Sequence, residues 1–347
     1  MKIYLAPMEG ITTYIYRTAY HHHFGGIDKY FTPFIASKKM NRRELNEILP
    51  EHNQNLNVVP QILTNRADEF ILIAKKIAEY GYQTVNLNLG CPSGTVVSRK
   101  RGAGFLSVPD ALDDFLYEIY EKSPVRISIK TRIGVESVEE WAYILEIYQK
   151  YPLEELIIHP RLQKEFYQYK PHAEAFEAAL AALPKFPLCY NGDIISAKSC
   201  EALLDRLPQT DCIMIGRGIL KNPALPAQIR CMTQSTVDTA IGFHSHQAPQ
   251  QPSLPPDNAV GAVSKALRKE TLKAFHDEIF EGYAAQMPGE TPTLFKMKDL
   301  WTYLIACFAS ADKHLKKIRK ASNYTDYQLA VNHLFRECEL TPSPSNP

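Results

Sequence analysis

The stretch "PLCYNGDIISAKSCEALLDRLPQTDCIMIGRG", residues 187–218, contains two short apolar runs, "PLCYNG" and "CIMIGRG", joined by a helical segment. Each run is nearly continuous in apolar residues and ends in glycine and polar residues, as is typical of a parallel strand that is covered on both faces. The run ends, marked by Asn191 and Gly216, lie 25 residues apart. The stretch therefore predicts a repeating strand–helix unit.

Six runs of the same kind precede this stretch: "IYLAP", "YFTPFIA", "VVPQIL", "TVNLNLG", "RISIKTR" and "ELIIHP". The intervals between run ends are 29, 25, 27, 42, 29, 32 and 25 residues when the ends are marked by Pro7, Ala36, Gln61, Asn88, Lys130, His159, Asn191 and Gly216. Eight such units within about 230 residues predict an α/β fold, a (β/α)8 TIM barrel, with a doubly wound sheet as the alternative. The long interval of 42 residues predicts a large loop over the barrel mouth.

The composition of the chain changes near Met232. The predicted barrel occupies residues 1–231, and residues 232–262, which are rich in proline and glutamine, are interpreted as a linker or an insertion. Helical periodicity resumes near Val263. We therefore predict a C-terminal all-helical domain over residues 263–338 and a disordered tail over residues 339–347.

The charges of the chain are almost balanced, with 39 basic and 38 acidic residues. A nucleic-acid partner would therefore bind a local basic patch rather than the molecule as a whole. One such patch is predicted in the helical domain, where four lysines share one helix face and apolar residues share the opposite face. This lysine stripe consists of Lys313, Lys316, Lys317 and Lys320. It is interpreted as either a solvated helix face or a surface that contacts phosphates.

Seven cysteines occur, and no two of them form a CxxC pair. This spacing argues against a zinc finger, an iron–sulfur cluster and a disulfide scaffold, and it favours a reducing compartment. No apolar signal core and no run of 18 apolar residues is present, so we expect a monomeric cytoplasmic protein without membrane contact. The histidine run at 21–23 ends the first predicted helix, away from the barrel mouth, and we expect no metal site.

The carboxyl ends of the predicted strands gather polar residues, and chemistry in this fold takes place at those ends. Glycines at the ends of the seventh and eighth strands let backbone N–H groups approach a phosphate, and Arg217 adds a possible charge-assisted contact. The sequence therefore predicts a site for a large, polar, anionic ligand. The polar residues are Gln61, Asn88, Lys130, Arg132, His159, Arg161, Asn191 and Asp193.

Lys130, at the fifth strand end, allows two interpretations. With Gln61 and His159 across the mouth, its cation could hold a flavin ring and stabilise negative charge near N1 and O2 of the reduced cofactor. Alternatively, it could form a Schiff base, which requires a desolvated lysine or a neighbouring cation.

Cys91 lies in the long loop, within "NLNLGCPSGTVVSRKRGAGFL", residues 86–106. It directly follows a strand end and stands between Gly90 and Pro92, unlike the other six cysteines. A thiolate there would be a nucleophile, whereas a neutral thiol would be a general acid. Because an unperturbed thiol has a pKa of about 8.5, the acid role needs no activation.

An ordered set of motifs, "LAPMEG", "PQIL", "NLNLGCPS…KRGAGFL", "IKTRIG", "IHPR", "NGDI" and "MIGRG", resembles the tRNA-dihydrouridine synthases, densely over residues 3–225. These are flavin-dependent barrels with a helical RNA-binding domain. The resemblance implies that Cys91 donates a proton and that Asn88 orients the target uracil. It implies FMN contacts from Pro7, Met8, Glu9, Gln61, Lys130, His159, Asn191, Gly192, Asp193, Gly216 and Arg217. The chain departs from many members in Pro160 after the histidine and in Asn86, where an aspartate is common.

The implied reaction passes hydride from NADPH, or NADH, through FMN N5 to uracil C6, while Cys91 protonates C5. Since the uridine of a folded tRNA is stacked, it must be extruded into the mouth. Candidate tRNA contacts are the lysine stripe and Arg99, Lys100, Arg101, Arg132 and Arg161. The alternatives are a flavin-dependent dihydropyrimidine or dihydroorotate oxidoreductase on free bases, and a redox-inactive RNA-binding barrel.

Overall fold

A computed structural model describes residues 1–241 and 267–341 of the chain. Its first part is a single parallel sheet with the strand order β3-β2-β1-β9-β8-β7-β6-β5-β4. The strands are β1 (Lys2–Leu5), β2 (Lys29–Phe31), β3 (Val58–Val59), β4 (Gln61–Ile62), β5 (Thr84–Leu89), β6 (Arg126–Arg132), β7 (Leu156–His159), β8 (Leu188–Tyr190) and β9 (Cys212–Ile215). Each of the eight apolar runs contains a strand, so the TIM-barrel prediction is confirmed.

The ninth strand arises because Pro60 divides the third barrel strand. Proline has no N–H group, so the ladder is interrupted at this residue. The first half, β3, pairs with β2, and the second half, β4, pairs with β5. The Pro60 carbonyl still accepts the N–H group of Asn86 at 2.8 Å, and the barrel is thereby closed.

The barrel helices follow the strands in turn. They are α1 (Tyr14–His23), α2 (Arg42–Asn46), α3 (Ala67–Glu79), α4 (Gly94–Val97), α5 (Pro109–Lys122), α6 (Glu140–Gln149), α7 (Ala173–Ala182), α8 (Ala197–Arg206), α9 (Arg217–Lys221) and α10 (Leu225–Ile241). α3 shows why they pack: Phe70, Ile73, Ala74 and Ile77 recur at helical spacing and are buried. The outer core therefore lies between these helices and the sheet.

The barrel interior is filled by a smaller core that includes Tyr4, Phe31, Cys189 and Met214. At its amino-terminal end, the Tyr4 hydroxyl donates to Glu155 at 2.6 Å, and Lys29 pairs with the same carboxylate at 3.0 Å. Because this end is packed, ligands reach the barrel from the opposite end, where the strands end.

The helical domain consists of α11 (Lys269–Gln286), α12 (Glu290–Leu304), α13 (Asp312–Lys320) and α14 (Tyr324–Glu337). The polar side chains at its centre have hydrogen-bond partners. The Tyr327 hydroxyl accepts from Trp301 at 2.8 Å and contacts His276 at 2.7 Å. Together with the barrel, these elements confirm the predicted fold class.

The helical domain packs on the first barrel unit. The rings of Tyr16 in α1 and Phe275 in α11 meet edge to face, 5.5 Å apart. Close to the mouth, the Lys296 ammonium group of α12 donates to the Gly10 carbonyl at 2.9 Å. The β1–α1 loop is therefore held from the helical domain.

The structure places some element boundaries differently from the sequence. α10 runs through Ile241, so the first ten residues of the predicted linker are helical. The predicted tail also begins too early, because Leu340 pairs with Phe308 and the Thr341 N–H group donates to Cys307 at 2.9 Å. The remainder of the predicted linker, the residues 263–266 and the tail residues 342–347 lie outside the described residues.

The histidine run lies where α1 meets the helical domain. His22 and His23 each contact a carboxylate oxygen of Glu278 in α11, both at 2.8 Å. Residues 1–241 and 267–341 contain no group of three or more potential metal ligands from histidine, cysteine, aspartate and glutamate. The helices of these segments also include none that is both long and apolar enough to cross a membrane.

Candidate active site at the barrel mouth

A ladder of hydrogen-bonded polar side chains crosses β4, β5 and β6. The Gln61 amide donates to Asn86 at 2.8 Å, and Asn86 in turn donates to the Ser128 hydroxyl at 2.9 Å. Asn88 donates to the other end of Gln61 at 2.7 Å. All four side chains are buried, so each is fixed by its partners in the floor of the mouth.

Asn88 holds the loop that carries Cys91. Its side-chain oxygen accepts the N–H groups of Gly90 and Cys91, both at 3.0 Å. Because the amide nitrogen is bonded to Gln61, both polar ends of Asn88 already have partners in the protein. Asn88 is therefore a positioning residue for the Cys91 loop in this structure, and its contact with uracil stays a prediction.

The glycine-rich segment after the loop packs directly on Cys91. The Ala103 N–H group donates to the Cys91 carbonyl at 3.1 Å. Gly102 has a φ of 56°, and a Cβ there would lie 2.8 Å from the Cys91 carbonyl oxygen and 3.1 Å from Cys91 Cβ. Glycine is therefore required at 102 both for the backbone conformation and for the close approach to Cys91.

We expect Gly102→Ala to destabilise the protein by about 1–3 kcal/mol, because the added methyl group strains the backbone and overpacks against Cys91. It should also change the rate at which Cys91 is alkylated by iodoacetamide, read by mass spectrometry of the Cys91 peptide. Gly81→Ala is the matched control for backbone strain alone, since Gly81 has a φ of 90° and no atom within 4 Å. Equal destabilisation and unchanged alkylation in both variants would contradict the close packing on Cys91.

The Cys91 thiol is half-buried. Burial raises its pKa above the ordinary value, while a backbone hydrogen bond at Ser93 and the charges of Lys130 and Arg132 oppose the shift. The neutral thiol is therefore the main form at neutral pH. Such a group can donate a proton without prior activation.

Lys130 stands beside Cys91, because Asn88 and Lys130 are opposite each other in the β5–β6 ladder. Burial, followed by the charge of Arg132, lowers the pKa of Lys130 to about 8. Within the described segments its ammonium group forms no hydrogen bond and no ion pair. A half-buried cation of this kind can bind an electron-rich edge of a ligand.

His159, at the end of β7, is kept neutral. Burial and then the charges of Arg132, Lys130 and Arg161 lower its pKa well below the ordinary value. Its Nε2 lies 3.0 Å from the Arg161 guanidinium group and accepts from it. The ring proton is therefore on Nδ1, where it can be donated to a ligand.

Arg161 and Arg217 share the carboxylate of Asp193. The buried Arg161 forms an ion pair with Asp193, and Arg217 donates to the same carboxylate at 2.9 Å. The Tyr167 ring contacts two guanidinium groups, with Arg217 at 4.5 Å from its centroid and Arg132 at 5.4 Å. It also stacks with His159 at 5.8 Å. One aromatic side chain thus joins three strand ends.

Two glycine turns complete the mouth. A Cβ on Gly192 would lie 2.3 Å from the Tyr190 hydroxyl, so only glycine fits beside this ring. A Cβ on Gly216 would touch Ala6 and Met8, each at 3.4 Å. In the part of the chain that the structure describes, the N–H groups of Gly192 and Asp193 donate to no protein acceptor. They are free to bind an anion.

One cavity unites these groups, and nine of the eleven predicted cofactor residues line it. They are Pro7, Met8, Lys130, His159, Asn191, Gly192, Asp193, Gly216 and Arg217. Gln61 lies in the amide ladder beneath, and Glu9 lies at the rim, where it pairs with Arg43. Asn191 serves the framework as well, since its amide donates to the Met214 carbonyl at 2.8 Å.

Comparison with known proteins shows the family of this chain. A family model described as dihydrouridine synthase matches residues 4–249. The chain is a member of the dihydrouridine synthase family. It is 29% identical over 227 residues to tRNA-dihydrouridine synthase B of Pasteurella multocida strain Pm70, covering 65% of this chain and 67% of the relative. It is 28% identical to "Probable tRNA-dihydrouridine synthase" of Staphylococcus aureus strain COL, covering 63% and 68%.

A solved structure shares the barrel of this dihydrouridine synthase family member. A 2-naphthoyl-CoA reductase complex has a TM-score of 0.52 at 10% identity, over 67% of this chain and 50% of the other. Morphinone reductase has a TM-score of 0.47 at 12% identity, over 67% and 86%. At these identities the likeness concerns the fold alone.

The structure separates the predicted substrate residues of this family member into two groups. Arg132 and Arg161 are buried, and Arg132 donates to the carbonyls of Gly90, Leu162 and Phe166 at 2.7–3.1 Å. Both guanidinium groups are buried against protein acceptors, and the contact of these two residues with tRNA stays a prediction. Arg99 and Lys100 are exposed on the long loop.

Arg101 and the lysine stripe complete the predicted basic residues. Arg101 is half-buried and pairs with Glu69 at 2.9 Å. The four lysines of the stripe are exposed on α13, and Ile318 is buried on the opposite face. In the described segments the stripe lysines form no ion pair, so their charge is available to a ligand.

Sequence reasoning missed Tyr167 and Ser128. Ser128 lies in the middle of β6, before the strand end at which polar residues were sought, and only its cross-strand partner Asn86 shows its role. Tyr167 lies in an irregular loop with no periodicity to place it. The dense aromatic content of "EFYQY", residues 165–169, is the one signal that could have drawn attention to it.

Proposed function

We propose that this protein reduces the C5–C6 double bond of specific uridines in tRNA to 5,6-dihydrouridine, with FMN as cofactor and NADPH or NADH as reductant. The observation that carries the proposal is the position of the half-buried Cys91 thiol beside Lys130, whose ammonium group has no hydrogen bond or ion pair within the described residues, at one barrel mouth. Family membership and the names of the relatives support the substrate class.

The residues of the mouth fit FMN. The free N–H groups of Gly192 and Asp193, together with Arg217, can bind a phosphate monoester. Lys130 offers a desolvated cation to the electron-rich edge of the ring system, and His159 offers its Nδ1 proton. No carboxylate pairs with Lys130 in the described segments, which favours an anionic or electron-rich ligand over a cationic one.

When bound, FMN would supply the hydride chemistry between the nicotinamide and C6 of uracil. The protein's own part is to orient the base and to deliver a proton. The neutral Cys91 thiol, held by Asn88 and by the packing of Gly102, gives that proton to C5. The Cys91 thiolate that remains then takes up a proton from solvent before the next turnover. The half-buried position of the side chain allows this.

A macromolecular substrate is favoured over free bases by the lysine stripe. Four exposed lysines without ion pairs on one face of α13 have no use in a reductase of small molecules. The phosphates of an RNA backbone can pair with these lysines. The uridine itself must leave its stack to reach a mouth in which Cys91 is half-buried.

The proposal is tested with purified protein, unmodified tRNA transcripts, FMN and NADPH. The expected result is a yellow protein that forms dihydrouridine, detected by mass spectrometry of digested tRNA. Reduction of free uracil or orotate without any effect on tRNA would favour the small-molecule alternative. A protein that binds tRNA but takes up no FMN would favour the redox-inactive barrel.

We expect replacement of the four stripe lysines by glutamine to weaken tRNA binding and to flatten its salt dependence. The slope of log K against log salt should fall by up to about 0.9 for each phosphate that the variant no longer neutralises, by analogy with duplex DNA. Glutamine at Lys75, Lys76, Lys150 and Lys185, exposed lysines near the opposite end of the barrel, is the charge-matched control. An identical slope in the two variants would show that the stripe is only a solvated helix face.

A further inference from the structure

We propose that the β7–α7 loop carries a base-stacking surface, formed by Phe166 and Tyr169, that binds unpaired nucleotides of the RNA substrate next to the barrel mouth. The inference rests on the proposed function for the identity of the RNA. It adds a binding surface that is distinct from the lysine stripe and from the cavity that the mouth residues line.

The two rings are unusually open to solvent for aromatic side chains. Phe166 is 44% exposed and Tyr169 is 61% exposed. Tyr167, between them, is 46% exposed and also lines the cavity at the mouth. The loop therefore exposes three neighbouring rings, of which Tyr167 borders the cavity and Phe166 and Tyr169 lie outside its lining.

Buried arginines fix the backbone beneath both rings. Arg132, from β6, donates to the Phe166 carbonyl at 2.8 Å, and Arg161, after β7, donates through Nε to the Tyr169 carbonyl at 2.7 Å. The barrel thus holds the loop at the two residues whose rings are exposed. A surface that is ordered before binding loses less entropy when a ligand stacks on it.

Phe166 occupies a backbone conformation that glycine adopts more readily. Its φ is 50°, in the left-handed region where a bulky side chain is uncommon. Glycine at position 166 would stabilise the folded state more than phenylalanine does. Because strained residues cluster where binding or catalysis requires them, the exposed ring at 166 indicates a ligand contact.

The charges around the rings favour RNA over an acidic protein segment or a lipid surface. Lys170, next to Tyr169, is exposed and has no ion pair within the described residues, whereas the charge of the exposed Lys164 is balanced by Glu136. The acidic side chains in reach are occupied: Glu136 pairs with Lys164 at 3.3 Å, and the buried Glu165 pairs with His172 at 2.8 Å. Aromatic rings interleaved with lysines are the composition of single-strand RNA surfaces.

The test measures the affinity of the FMN-loaded protein for two labelled probes, an oligouridylate and an unmodified tRNA transcript, by fluorescence anisotropy. Stacking is lost on replacement of an aromatic ring, so Phe166→Gly and Tyr169→Ala should each weaken binding by at least about fivefold. Phe166→Tyr and Tyr169→Phe keep the rings and should keep the affinity. Tyr117→Ala removes a ring that is 65% exposed on α5 and serves as the matched control.

Phe166→Gly separates binding from folding, because glycine relieves the left-handed conformation. Weaker RNA binding with an unchanged or higher melting temperature supports the stacking surface. Unchanged affinity in Phe166→Gly and Tyr169→Ala overturns it, even if the protein makes dihydrouridine. Loss of affinity confined to these variants supports it, even if no dihydrouridine is formed, and an equal loss in Tyr117→Ala overturns it.

Discussion

We expect Cys91→Ala to lower the rate of dihydrouridine formation by a factor of about 10²–10⁴, the range over which a positioned general acid contributes to catalysis. FMN content and the rate of flavin reduction by NADPH should stay close to those of the unaltered protein, because the thiol lies outside the set of residues that line the cavity. The two half-reactions are followed separately by flavin absorbance and by mass spectrometry of tRNA.

Two comparisons sharpen this result. Cys231→Ala, at another half-buried cysteine, should leave both half-reactions intact. In the unaltered protein kcat/KM should decline as pH rises through the elevated pKa of the thiol, since the neutral form is the acid. Full activity of Cys91→Ala, or a rate that rises with pH in this range, would assign the proton to another group.

We expect Lys130→Met to weaken the binding of FMN by about tenfold to a hundredfold, the worth of a hydrogen bond to a charged group. In the unaltered protein, affinity should be highest below about pH 8 and should fall as pH rises, because the cation is lost through its lowered pKa. The variant should lack this step. Quenching of flavin fluorescence on binding measures both effects without any turnover.

Of Lys130, Cys91 and His159, only Lys130 is expected to change its charge in the pH range in which FMN affinity falls. Burial moves the Cys91 thiol to higher pKa and His159 to much lower pKa, so neither titrates in the same range. Lys75→Met, at an exposed lysine of α3, is the control and should show the step unchanged. A step that survives in Lys130→Met would remove this lysine from the cofactor site.

The barrel could be predicted from sequence because its strands are buried on both faces and read as apolar runs at regular intervals. The run that contains Pro60 was recognised, but its division into β3 and β4 was not, since the effect of a missing N–H group depends on which neighbour each residue faces. The predicted boundary between the barrel and the linker was wrong for a related reason. A polar segment such as residues 232–241 gives little periodicity even where it is helical.

The members of the candidate site were predictable, but several of their roles were not. Strand ends converge by topology, so Lys130, His159 and Gly216 came together as expected. Whether a side chain faces a ligand or the framework depends on three-dimensional partners. Asn88 holds the Cys91 loop, and Arg132 and Arg161 are buried, with Arg132 against the Tyr167 ring.

The bond from Lys296 to the Gly10 carbonyl bears on how such proteins could be engineered. The loop that it holds contains Met8, which lines the reaction cavity. An isolated catalytic half, or a chimera with a helical half taken from a relative, would release that loop unless the foreign partner supplies an equivalent cation. To exchange target preference between relatives, the helical domain must therefore be transferred together with the barrel loop that it contacts, not on its own.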